Sequence, residues 1–193
     1  MKRAFILGTV IFSVASALNA QVYKTATGNI KFVSKTAIEE FSANNDQVTA
    51  AFSPKSNAIA FRVPVNSFQF KSALMQKHFQ ENYMQTAEFP FSTYSGKLED
   101  FAAIQTASAN FSKNGTYDVI TKGTHEMHGV KKDITVPGKI TVANGTITLS
   151  ATMNVLCSDY GINIPAASKK SVSDNIDISI NCPLELAKEK KKK

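Results

Sequence analysis

Between Ile147 and Cys157 the chain sets an apolar side chain at every second position: Ile147, Leu149, Ala151, Met153, Val155 and Cys157. A β-strand sends successive side chains to opposite faces, so one face of this segment is wholly apolar and has to be buried. The same period returns at Ile176, Ile178, Ile180, Cys182, Leu184 and Leu186, and in shorter form at Ile59, Phe61, Val63 and Val65, with Pro64 marking an edge, a bulge or a strand end. Ile30 and Phe32 open the series. Asn44-Asn45-Asp46 reads as a polar turn before Val48, Ala50 and Phe52. Lys113-Asn114-Gly115 and Asn144-Gly145 read as hairpin turns, because Asn-Gly supplies the positive φ angles of a type I′ turn. Gly129-Val130-Lys131-Lys132 turns the long strand 116–128 back into Ile134, Val136, Ile140 and Val142. About eight strands result, without repeats or an interdomain linker.

Hairpin-linked strands of that number close on themselves, since closure removes unpaired edges. The expected fold class is all-β, an eight-stranded antiparallel barrel. Its inward set is Ile, Leu, Phe, Val, Met and Cys, so the interior is either packed solid or holds something greasy. One stretch breaks the period. From Ser72 to Gln85 the residues Leu74, Met75, His78, Phe79, Asn82 and Tyr83 fall at helical spacing on one side, with Ser72 as N-cap and Pro90 beyond the end. This is the one short amphipathic helix expected, closing an end of the barrel or flanking its opening.

The 193 residues suit a single domain, and 43% hydrophobic content suffices for a core. The net charge of +7 misleads: Lys2 and Arg3 carry two of those charges and residues 188–193 a net four, leaving about +1 for residues 21–187. A nucleic-acid partner loses its electrostatic support. Residues 1–20 read as a signal peptide, with Lys2-Arg3, an apolar run from Ala4 to Val14 and small residues up to Ala20. The expected localisation is periplasmic or secreted, with cleavage near Ala20. Residues 21–187 then form the barrel domain, and 188–193 a disordered Lys-rich tail. Lys190, Lys191, Lys192 and Lys193 either solubilise that tail or make weak contact with an anionic membrane surface. Pairing into a homodimer stays open.

Cys157 and Cys182 both fall in phase with the apolar face of their strands. They read either as two buried thiols or, in an exported chain, as a disulfide. No metal site is expected. His125 and His128 are three apart on a strand and face opposite ways, and His78 has no His or Cys at i±4. No Gly-x-Ser-x-Gly appears, and Ser, His and Asp are scattered without a juxtaposing motif, so no catalytic residues and no enzyme are expected.

Ser67-Phe68 before the helix, His78-Phe79 and Tyr83 within it, Phe89-Pro90 after it, Gly123 with Met127-His128-Gly129-Val130-Lys131-Lys132, and Ser158-Asp159-Tyr160-Gly161-Ile162 occur in an order and spacing that resembles the YceI-like family. The resemblance covers most of residues 22–186. Cys157 stands where many members carry an Arg, and no His-Ser pair occurs around Ile38–Phe41. The resemblance implies an exported, lipocalin-like barrel that binds long isoprenoid chains in its interior, without catalytic residues. The implied function is non-enzymatic holding of a polyprenol or quinone-like lipid for sequestration or transport, with no cofactor beyond that lipid. The alternative is a structural or stress-related envelope protein with a solid barrel and no ligand. The residues expected to line or gate the cavity are Phe32, Phe61, Val63, Leu74, His78, Phe79, Tyr83, Tyr94, Leu149, Met153 and Ile178.

Overall fold

The computed structural model describes residues 22–108 and 110–187; the signal peptide expected over residues 1–20 and the Lys-rich stretch 188–193 lie outside the described residues. The strands are β1 (Tyr23–Lys35), β2 (Glu40–Ser53), β3 (Ala58–Pro64), β4 (Gln69–Phe70), β5 (Phe91–Leu98), β6 (Gly115–Met127), β7 (Val130–Ala143), β8 (Thr146–Leu156) and β9 (Asn175–Leu186). Helix α1 (Ala73–His78) follows β4, and helix α2 (Phe101–Ala107) follows β5. The sheet runs β1-β9-β8-β7-β6-β5-β3-β2, and β1 also pairs with β2. Eight antiparallel strands therefore close into a barrel, with two-residue β4 attached to β2 at Ala43↔Phe70.

The register puts every alternating apolar set inward. Across β8 and β9 the pairs are Val155↔Ile176, Met153↔Ile178, Ala151↔Ile180, Leu149↔Cys182 and Ile147↔Leu184, one layer below another. Pro64 is the last residue of β3, where its missing N–H costs no interior ladder bond. Asn144 (φ 49°) and Gly145 (φ 81°) form the β7–β8 turn as the Asn-Gly pair demands.

Three local expectations are corrected. Asn44-Asn45-Asp46 is not a turn: β2 runs through it. Asn45 is fully buried, its amide donating to the Pro64 carbonyl at 2.7 Å and accepting from the Gln47 N–H at 2.9 Å. With its amide satisfied, Asn is admitted to the strand interior. The β1–β2 reversal comes earlier, where the Thr36 N–H reaches the Glu39 carbonyl at 2.8 Å. Asn114-Gly115 closes no hairpin either. The chain between β5 and β6 makes α2, a second helix that the sequence reading missed, and the Asn114 side chain instead accepts from the Asn144 N–H at 3.0 Å. The third concerns the main helix. Ser72 caps α1 as expected, its Oγ accepting from the Met75 N–H at 3.3 Å, but after His78 the chain widens into a π-helix at Phe79–Tyr83, closed by Met84 N–H to Phe79 O at 2.8 Å. The extra residue in that turn brings Met84 onto the barrel side together with Phe79 and Tyr83.

The two ends of the barrel differ. The end carrying the β2–β3 and β7–β8 turns is packed solid. Phe52, Ile147, Leu184, Val48, Val142 and Ile140 are fully or almost fully buried there. Phe111 from the segment after α2 plugs it, its ring 5.1 Å from Phe52 and 6.1 Å from Phe101. Phe111 holds φ at 65°, a conformation costing ~1–2 kcal/mol for a non-glycine residue, against ~1.5–3 kcal/mol from burying the ring. Its N–H is satisfied by Ser108 Oγ at 3.1 Å, and Ser108 in turn donates to the Ile104 carbonyl at 2.7 Å. The opposite end, carrying α1, the β1–β2 and β6–β7 turns and the 157–174 connection, is hollow.

Candidate functional site

The hollow end holds a cavity of about 440 Å³. Its wall is built layer by layer from the inward positions of the strands: Val155, Met153, Ile176, Ile178 and Ile180 on β8–β9, Ile30 and Phe32 on β1, Ile59, Phe61 and Val63 on β3, and Ile134 and Val136 on β7. The floor falls between the Ala151↔Ile180 and Leu149↔Cys182 layers, because Leu149, Cys182, Ile140 and Val142 are buried yet do not reach the cavity. From Cys157 to Met153 the lining positions of this stretch lie four residues apart, about 13 Å at ~3.3 Å per residue.

Five phenylalanines gather at the mouth. Phe79 stacks on Phe32 at 5.5 Å and lies 5.7 Å from Phe68 and 5.0 Å from Phe70, while Phe41 lies 6.5 Å from Phe32. This cluster ties the π-helical turn to β1, β2 and β4, so α1 and the turn form a lid over one side of the opening. Glu39, Met75, His78, Tyr83, Ala167 and Val172 complete the rim.

Of the residues singled out in the sequence, Phe32, Phe61, Val63, His78, Phe79, Tyr83, Tyr94, Met153 and Ile178 all line this one cavity. Two do not. Leu74 is 63% exposed. The inward spacing on the lid is Met75, Phe79 and Tyr83, and Leu74 lies about 100° away around the helix. Leu149 lies just beneath the floor, in the packed half. The two cysteines are free thiols. Cys182 pairs with Leu149, eight residues along β8 from Cys157, a separation of ~26 Å at ~3.3 Å per residue, whereas a disulfide needs Cα atoms within ~7 Å. Burial pushes each thiol up to about 11, with the Asp174 carboxylate adding to the effect at Cys157.

The wall carries a polar seam that the sequence reading missed. His125 Nδ1 lies 2.7 Å from the Tyr160 hydroxyl and Nε2 lies 2.9 Å from Ser92 Oγ, while Ser92 donates to the Glu126 carbonyl at 3.1 Å. Since the Ser92 proton is committed to a carbonyl, the chain of donors runs Tyr160 to Nδ1, then Nε2–H to Ser92. Burial holds His125 down at about 4, so it is neutral at ordinary pH. Ser92 is therefore not activated: the nitrogen beside it is a donor, not a base. Deeper down, Tyr94 donates to Thr121 Oγ1 at 2.8 Å. Its ring lies along the wall because Gly96 leaves room for it, and Gly123, paired with Gly96 across β5 and β6, lets the two backbones approach. A Cβ on Gly96 would come within 2.5 Å of the Tyr94 hydroxyl, and one on Gly123 within 2.3 Å of the Ser95 carbonyl. Only inward parity at Ser92, Tyr94, Thr121 and His125, alternating on two neighbouring strands, could have disclosed this seam beforehand. His128 belongs to the turn instead, its Nδ1 3.1 Å from the Tyr160 carbonyl and its Nε2 3.0 Å from Gln85 Oε1. Among the described residues no group of three or more His, Cys, Asp or Glu could hold a metal ion.

The same architecture occurs in solved structures. A polyisoprenoid-binding domain from Saccharophagus degradans superposes with a TM-score of 0.74 at 15% identity, over 87% of this chain and 99% of that one. BcnA from Burkholderia cenocepacia gives 0.66 at 14% identity, over 82% and 96%. A YceI protein from Campylobacter jejuni gives 0.54 at 19% identity, over 98% and 94%. At such identities the likeness is one of fold. No curated protein matches the chain. The model of the YceI-like domain matches residues 13–184, nearly the whole length, and the protein belongs to that family.

Proposed function

We propose that this protein is a non-enzymatic lipid carrier that holds an isoprenoid chain in the open half of its barrel. The observation that carries the reading is the apolar cavity beneath a phenylalanine-rich lid. At about 440 Å³ it falls within the ~300–1,000 Å³ of sites that enclose small ligands. Burying one five-carbon unit is worth at most ~4 kcal/mol at ~0.8 kcal/mol per carbon, against an association cost of ~4–15 kcal/mol. Several units are therefore needed, and a long chain leaves the mouth with its remainder. The Saccharophagus degradans neighbour, a polyisoprenoid-binding domain, supports this ligand class. The unactivated Ser92–His125 pair supports a binding role over a hydrolytic one. Residues 1–20 support export to the periplasm or beyond.

The experiment is native mass spectrometry on protein purified without detergent, followed by addition of polyprenols of graded length. The expected result is one lipid per chain, with uptake abolished by filling the cavity in Met153→Trp. A folded protein that stays empty at every chain length would return the molecule to the alternative, an envelope protein with no lipid ligand.

A further inference from the structure

The barrel wall is not hydrogen-bonded all the way round at its hollow end. Neighbours β7 and β8 pair only from Ala143↔Thr146 to Gly138↔Ala151, although β7 reaches back to Val130 and β8 runs on to Leu156. Above that last rung β7 keeps its ladder with β6 and β8 keeps its ladder with β9. Among the described residues no strand pairs with their facing edges. The comparable interruption between upper β2 and β3 is taken up by β4, which pairs with β2 there.

The sequence explains where the ladder stops. Ala143 and Thr146 flank the two-residue turn as a hydrogen-bonded pair, and such pairs recur at every second residue of an antiparallel ladder. The next are Thr141↔Thr148 and Lys139↔Ser150, so the following rung falls to Pro137. Proline has no N–H to give. Beyond it the strands part, and the edge of Thr135, Asp133 and Lys131 faces the edge of Thr152 and Asn154 unpaired. The parted margins bound the cavity, since Ile134 and Val136 on β7 and Met153 and Val155 on β8 all line it. From Gly138 to Lys132 this slot is ~20 Å tall at ~3.3 Å per residue.

One turn fills the slot. Tyr160, 3% exposed, packs in one cluster with Val155 of β8 and with Met127 and Val130 beside the β6–β7 turn. Its hydroxyl lies 2.7 Å from His125 Nδ1, and Asp159 next to it pairs with Lys132 Nζ at 2.7 Å. On its other side Ser158 is held by Asp174, just before β9, at 2.8 Å through the N–H and 2.7 Å through Oγ. The turn is thus hinged beside β9 and fastened to the β6–β7 hairpin through side chains. His128 ties it to the lid as well, lying 3.1 Å from the Tyr160 carbonyl and 3.0 Å from Gln85 Oε1. Where β-strands are paired, opening the wall breaks a backbone ladder, whereas here it takes only the release of side-chain contacts.

We propose that the slot between β7 and β8 is the side entrance of the lipid site, through which a long hydrocarbon chain slides broadside into the cavity when the Ser158–Tyr160 turn swings out, with Tyr160 as the bolt. This rests on the lipid-carrier reading. The test follows a dansyl-labelled polyprenol passing from phosphatidylcholine vesicles to the protein, by stopped-flow fluorescence. Thr135→Cys with Asn154→Cys puts one thiol on each margin at exposed positions, and a bis-maleimide then closes the slot, with each single variant carrying the reagent as control. Closure should slow loading and release together by about tenfold and leave the affinity within about twofold, because a doorway changes both rates and not the equilibrium. Tyr160→Phe should speed loading. Pro137→Thr, which returns the missing N–H, should slow both loading and amide exchange at Thr152. Linked protein that loads at the unlinked rate, Tyr160→Phe that loads no faster, or Pro137→Thr that protects Thr152 without slowing loading overturns the side entrance and leaves the carrier standing. A wild type that takes up no polyprenol at equilibrium overturns both readings.

Discussion

His125 shows how burial becomes a measurable property of one residue. Its ring is neutral in the fold, held at about 4, while the same ring in the unfolded chain titrates near 6.5. Above pH 6.5 neither state binds the proton and the fold loses nothing. As pH falls from 6.5 towards 4 the unfolded state takes up a proton that the folded state refuses, so stability declines, by up to ~3 kcal/mol. Urea denaturation at pH 7 and pH 4.5 should show that loss, and His125→Gln should flatten it. The two kinds of core phenylalanine make a second contrast at this scale. Phe111, buried against Phe52 in the packed half, should cost ~3–5 kcal/mol on truncation to Ala and leave lipid uptake in place. Phe61, partly exposed to the cavity, should cost less in stability and more in lipid binding, read by denaturant midpoint and by retention of added polyprenol.

The lid is the element on which loading depends. It makes few contacts with the body: none of the residues in α1 or the π-helical turn is buried, and Phe79 carries most of the attachment through Phe32, Phe68 and Phe70. Segments attached by so few apolar contacts open locally before the fold does. Phe79→Ala should therefore raise hydrogen exchange across residues 73–83 and shorten lipid residence, with a small change in the global midpoint. Leu74→Ala, on the solvent side of the same helix, should alter stability by no more than ~0.5 kcal/mol and leave uptake intact. On the other end α2 works in the opposite sense. Ile104 and Phe111 anchor its segment in the core, which makes that end a plug with no opening.

For the molecule as a whole, the division into a packed half and a hollow half means that stability and binding are drawn from different layers. A lipid that binds only the folded state at a hundredfold excess over its Kd should raise stability by ~2.7 kcal/mol and the melting temperature with it. Reductant should leave that temperature unchanged, since the two thiols lie at different levels of the barrel and form no cross-link.

Much of this was written locally in the chain. Alternation at Ile147–Cys157 and Ile176–Leu186 determined strands with one buried face, Asn144-Gly145 determined a hairpin, and Ser72 determined where the helix starts, because each depends on residues a few positions apart. Parity also placed Phe61, Met153 and Ile178 on the inner face. The tertiary structure alone decided the rest. Leu149 and Met153 share a strand and a face, yet one is floor and the other wall, because Leu149 is flanked on the neighbouring strands by the fully buried Ile140 and Cys182, which close the packed half at that level. Asn45 enters the interior because Pro64 happens to lie opposite, and Ser92, His125 and Tyr160 become a seam only once three separate segments meet. Local periodicity reports which way a side chain points; what it meets there is set by closure of the barrel.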